Sequence, residues 1–162
     1  WRRILTTITG FTIAHSITLA LAALDIVRLP IAPVEATIAL SIVFLAIEIA
    51  RGDQRSLTYR YPIAVSSSFG LLHGFGFAAV LQEIGLPQKD LIIALLFFNV
   101  GVEVGQVIFA GVLLVITWAA LRFFNSQSQL NLRSAPARRV AVAASYLIGP
   151  IAVFWMIERM MP

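Results

Sequence analysis

The feature that most limits how this chain can fold is the recurrence of apolar blocks of bilayer-crossing length. They fall at about 4–27, 31–50, 62–84, 91–121 and 140–157. A hydrocarbon core about 30 Å thick is crossed by about 20 apolar residues in a helix. With no water in the core to satisfy free N–H and C=O groups, only helices and closed barrels can span it. Barrel strands would show runs of about 10 residues with alternating polarity, and the sequence has none. Hydrophobic residues make up 59% of the chain and charged residues 12%, against about 45–50% and about 25% in a soluble domain. The expectation is an all-α integral membrane protein, a single polytopic bundle of about five transmembrane helices whose first partner is the lipid bilayer.

The connectors support this reading. Pro30 and Pro33 open the second block, where a missing N–H costs nothing. Gly149-Pro150 predicts a kink in the fifth. The longest connector, roughly 125–137, is rich in Ser, Gln, Asn and Arg and reads as a solvated loop. Glu83 and Asp90 flank a shorter one containing Gly85 and Pro87. The opening Trp1-Arg2-Arg3 mimics a signal peptide, but the apolar run that follows is too long and has no small-residue cleavage site before Asp25. It reads as a true span, and a chain beginning with Trp is expected to be part of a longer natural sequence.

Five spans place Arg2, Arg3, Arg51, Arg55, Arg60, Arg122, Arg133, Arg138 and Arg139 on one side, and Arg28, Lys89 and Arg159 on the other. This partition uses all 12 Lys and Arg. Cytoplasmic loops carry the excess of positive charge. The Trp1 end is therefore predicted to be cytoplasmic and the Pro162 end periplasmic. The pI near 10.3 follows from these loops and calls for no nucleic-acid partner. The absence of cysteine excludes both a disulfide framework and a thiolate metal site.

Polar side chains at membrane depth are costly and raise a functional question by default. Asn99, Glu103 and Gln106 lie at i, i+4 and i+7, on one helix face. Gly101 and Gly105 lie on another, where a neighbouring helix could approach closely. The first span carries Thr9, Thr12, His15, Ser16 and Thr18; the third carries Ser66, Ser67, Ser68, Gly70, His73, Gly74 and Gly76, and its Gly70-x-x-x-Gly74 pattern permits close helix contact. The Thr and Ser hydroxyls can simply bond their own helix carbonyls. The two histidines are the whole complement of the chain, and both lie within spans. Neutral imidazole ligates transition metals and shuttles protons, although a lone histidine in a helix is often only hydrogen-bonded. In the second span Thr37, Ser41 and Glu48 share a face, with Glu48 close enough to Arg51 to pair with it; Glu35, near the opposite end, suits a helix N-terminus. Trp118, Phe123, Phe124, Trp155, Tyr59 and Tyr61 sit near span ends and fit an interfacial aromatic belt. No P-loop, G-x-S-x-G or H-E-x-x-H string is present, and no nucleophile or catalytic metal set can be identified, so an enzyme is not expected.

Four ordered strings carry a resemblance: F-T-I-A-H-S-I-T-L-A-L-A-A-L from Phe11, V-E-A-T-I-A-L-S-I-V from Val34, F-G-L-L-H-G-F-G-F-A from Phe69 and F-N-V-G-V-E-V-G-Q from Phe98. Together they resemble the HupE/UreJ family, and within it the branch with an extracytoplasmic N-terminal region. The resemblance implies a bacterial inner-membrane protein accompanying hydrogenase or urease systems, with nickel permeases among its members. Those members carry an H-x5-D-H string in an early span and an F-H-G-x-A-H-G-x-E element in a later one. Here the first is absent and His73-Gly74 matches part of the second, which implies at least one further N-terminal helix.

Two readings follow. In the first the protein is a permease or metal-handling protein for a nickel-like divalent cation, its substrate rather than a resident cofactor. His15, His73, Asn99 and Glu103 are the candidate ligands, and Thr12, Gln106 and Glu48 are candidates for an additional polar pathway. In the second it is a structural or accessory subunit, bound to copies of itself or to a membrane complex, with polar and small-residue stripes serving only as packing.

Overall fold

A computed structural model of the chain describes residues 2–84, 91–124 and 135–161. All of its elements are helices: α1 (Arg2–Ala23), α2 (Ile31–Arg51), a single-turn α3 (Leu57–Arg60), α4 (Pro62–Ile84), α5 (Leu91–Phe124) and α6 (Ala135–Met160). Among the described residues four helices are long and apolar enough to cross a membrane, over Arg2–Ala23, Ile31–Arg51, Leu91–Ala119 and Arg138–Met160. The block predicted as the third span forms the helix α4 with the expected bounds, but α4 is not one of these four.

Two boundaries depart from expectation for local reasons. The first apolar block runs on to residue 27, yet α1 stops at Ala23. Asp25 adopts φ 62°. Its amide donates to the Ala22 carbonyl at 3.1 Å, and that of Ile26 donates to Leu21 at 2.9 Å. This is a Schellman closure, with Asp tolerated in the left-handed position. Arg28 donates to both carboxylate oxygens of Asp25, and these hydrogen bonds hold the carboxyl below its usual range. The last span is longer than the block at 140–157, because α6 takes in residues 135–137 of the expected loop. It stays helical on both sides of Pro150. The rest of that loop, and the connector with Gly85 and Pro87, lie outside the described residues.

Between α2 and α4 the chain turns tightly. Gly52, at φ 62°, ends α2 and donates to the Glu48 carbonyl at 3.0 Å. Glu48 does not pair with Arg51. Its two carboxylate oxygens instead accept from the amides of Leu57 at 3.0 Å and Thr58 at 2.9 Å, the free donors that begin α3.

The helices lie in the spatial order α5, α1, α4, α2, α6. The tightest pairing is α1 on α4, which run parallel. Ser66 donates to the Thr7 carbonyl at 2.9 Å and Ser67 to Gly10 at 3.2 Å. A Cβ at Gly70 would collide with the Phe11 carbonyl, and one at Gly74 with the His15 carbonyl and the Thr18 hydroxyl. The Gly70-x-x-x-Gly74 stripe therefore brings two backbones together, as small residues do in membrane helices. On α2, an antiparallel α6 packs Gly149 against Ala46 and brings Arg159 to Glu35 at 3.3 Å. An antiparallel α5 adds Leu91 and Leu95 to the buried cluster of Leu19, Ala22 and Ala78. The close approach that Gly101 and Gly105 would allow is not made among the described residues: a Cβ at either would meet nothing within 4 Å. The reason is that α5 turns Glu103 and Gln106 toward α1, which leaves the glycines facing outward.

Candidate functional site

The centre of the bundle is His15, 1% exposed. Phe11 stacks on its ring at 5.8 Å and Phe98 at 6.3 Å, while Phe77 meets it edge-on at 5.4 Å. Neither ring nitrogen has a hydrogen-bond partner among the described residues. A buried polar group left unpaired costs about 1–3 kcal/mol. The satisfied structural histidine considered from sequence is therefore not what the fold provides.

His73 is held differently. Its Nδ1 lies 2.8 Å from the Phe69 carbonyl oxygen, one helical turn earlier. A carbonyl only accepts, so Nδ1 carries the proton and Nε2 keeps its lone pair. Among metal-binding histidines this kind of contact fixes the tautomer and aims the free nitrogen. The Phe11 ring meets His73 edge-on at 5.4 Å, so one phenyl ring contacts both imidazoles. The spacing explains the box: Phe11 precedes His15 by four residues, and Phe77 follows His73 by four. The glycines of α4 then bring its face against α1.

On the α5 side, Thr9 donates to the Glu103 carboxylate at 2.9 Å and Thr12 to the Gln106 side-chain oxygen at 3.4 Å. Asn99 donates to the Leu95 carbonyl at 2.8 Å, leaving its own Oδ1 buried without a partner. The step of six residues along α1 from Thr9 to His15 corresponds to about 9 Å of helix. Among the described residues no three or more His, Asp or Glu side chains lie close enough together to hold a metal ion. Of the four candidate ligands, the fold brings His15 and His73 to one aromatic box. Glu103 stands on a separate Thr9 contact, and Asn99 follows Phe98 of the box. Thr12 and Gln106 join α1 to α5, whereas Glu48 works at the far end of α2 as the α3 cap.

Two cavities reach the box from opposite ends of the bundle. One, about 600 Å³, lies between α1, α4 and α5, and its lining includes Arg3, Tyr59, Ser66, Phe11 and Gln106. The other, about 290 Å³, lies between α2, α4 and α6, with Glu35 and Arg159 on its rim and His73 and Phe77 in its wall.

Sequence reasoning placed the aromatic residues in an interfacial belt and missed Phe11, Phe77 and Phe98. The available signal was their i±4 spacing to the histidines, together with the position of Phe98 one residue before Asn99. A family model described as HupE / UreJ protein matches residues 1–159. Neither a curated protein nor a solved structure matches the chain.

Proposed function

The chain belongs to the HupE / UreJ family, and from that premise we propose that it is a bacterial inner-membrane permease for a nickel-like divalent cation, bound in passage at His15 and His73. The observation that carries this reading is the fully buried His15 ring, whose two nitrogens have no partner among the described residues and whose neighbours Phe11 and Phe77 each line one of the two cavities. Imidazole nitrogen suits Ni²⁺ and its neighbours among the divalent metals, and the α5 side offers oxygen donors in the Asn99 amide and, on its separate Thr9 contact, the Glu103 carboxylate. An ion in transit must be held well enough to come in and loosely enough to leave. In this reading the site performs no covalent chemistry.

Five crossings follow if α4 spans as α1 does. The two are parallel and interlocked, α2 and α5 run against them, and the Arg-rich ends gather together where Arg3 lies over the Tyr59 ring at 5.2 Å and Arg138 lies beside Gly52. That end would face the cytoplasm.

The reading is tested by Ni²⁺ uptake into cells or proteoliposomes. His73→Ala and Glu103→Gln should each abolish uptake while the protein remains folded and inserted; uptake surviving both changes would overturn it. One observation favours an accessory subunit instead, the Gly101/Gly105 face of α5, which has no neighbour among the described residues. Stable co-purification of a partner on that face, with no uptake by the isolated chain, would establish that reading.

A further inference from the structure

The smaller cavity has a composition that its position does not require. A space between lipid-facing helices is filled most cheaply by aliphatic side chains, yet this one places a carboxylate and a guanidinium on its rim and an imidazole in its wall. Glu35 lies one turn from the start of α2 and Arg159 one residue from the end of α6. Their ion pair, at 3.3 Å, joins the two helix ends and is only partly exposed on the carboxylate side. Ile38, Ala39 and Ile42 of α2 continue inward toward His73 and Phe77, and Phe77 touches the His15 ring. The volume of about 290 Å³ exceeds the roughly 180 Å³ of an octahedral aqua ion, taken as about six waters of about 30 Å³ each.

We infer that this cavity is the extracytoplasmic vestibule through which a hydrated divalent cation reaches His73, with Glu35 as the recruiting carboxylate and Arg159 as its latch. The inference rests on the permease reading and adds a route and two residues to it. While Arg159 occupies Glu35, the rim is neutral; an arriving cation competes for the carboxylate and displaces the guanidinium. His73 Nε2, its lone pair kept free by the Phe69 contact, is the first nitrogen available along the lining. Phe77 separates the vestibule from His15.

The charges provide a test that a merely structural ion pair would fail. Breaking a structural pair from either side weakens the protein in the same direction. A recruiting carboxylate instead makes the two sides opposite. Glu35→Gln leaves a bare cation at the rim and should raise the KM for Ni²⁺ uptake several-fold, whereas Arg159→Gln frees the carboxylate and should lower it, with kcat little changed in both. Shifts in the same direction would overturn the vestibule.

Access can be read independently, because the chain has no cysteine. In right-side-out vesicles, a membrane-impermeant cationic thiosulfonate should modify Ile38→Cys and block Ni²⁺ uptake, and nickel chloride should protect. Ala39→Cys provides a smaller change at the same wall. Leu40→Cys, 49% exposed on the outer face of α2, should stay unmodified. Failure to modify either wall cysteine, or modification without loss of uptake, would overturn the vestibule and leave the permease reading standing. No uptake by the unsubstituted chain would overturn the permease reading and the vestibule with it. The two failures are distinguishable because labelling does not depend on transport.

Discussion

An imidazole with two unpartnered nitrogens, enclosed by three phenyl rings, is a poor choice for stability and a sensible one for a group that must meet a ligand. Function and stability should therefore separate at His15. His15→Leu removes the desolvation cost of the nitrogens and should raise thermal stability in detergent by about 1–2 kcal/mol while eliminating Ni²⁺ uptake. A variant that is both less stable and still active would contradict this account. Glu48 behaves in the opposite way. Its carboxylate satisfies the two leading amides of α3, and charge-assisted bonds of this kind outweigh neutral ones. Glu48→Gln should cost about 1 kcal/mol and speed proteolysis between Gly52 and Ser56, with the KM for uptake unchanged. That capping task was not legible beforehand, because the partners are backbone amides nine and ten residues away, across a turn that no periodicity marks.

At the scale of the helix, identical residues in similar patterns have different consequences. Gly70 and Gly74 on α4 and Gly101 and Gly105 on α5 have the same four-residue spacing, and from sequence both read as close-contact stripes. The fold uses the first pair and leaves the second without a neighbour among the described residues. Gly74→Ala should force α1 and α4 apart at the cost of an overpacked interface, about 1–3 kcal/mol, seen as a lower melting temperature in detergent. Gly101→Ala should be neutral or stabilising by up to about 1 kcal/mol, since alanine is the better helix former. Equal destabilisation by both would mean that α5 has a packing partner in the membrane. The apolar blocks made the helices legible, and 62–84 was read with the bounds it takes. The end of α1 was not, because a Schellman turn depends on the backbone angle of Asp25 and the reach of Arg28, and neither interrupts an apolar run.

For the molecule as a whole, the proposed five crossings, with α4 spanning as α1 does, would put the two chain ends on opposite faces of the membrane. A single cysteine replacing Arg2 and another replacing Met161 should be labelled by an impermeant thiol reagent from opposite sides of the membrane, the second from outside; labelling of both from one side would require four crossings. The sidedness rests on charge asymmetry, which is counted along the sequence and needs no contacts, and this labelling is its test. The candidate site was only half legible. His15 and His73 were picked out as costly residues at membrane depth, but their common phenyl neighbour depends on how closely two helices approach, and a sequence read one span at a time does not show that distance. The same gap hid Glu35 with Arg159, which are separated by most of the chain.

The interlock of α1 and α4 has a mechanical consequence. The two imidazoles ride on helices keyed together backbone to backbone, with serine hydroxyls of one bonded to carbonyls of the other, so they form a fixed station. Any cycle that exposes it first to one compartment and then to the other must move the walls around it: the α2–α6 pair on one side and α5 on the other. The ion would wait in place while its surroundings rock past.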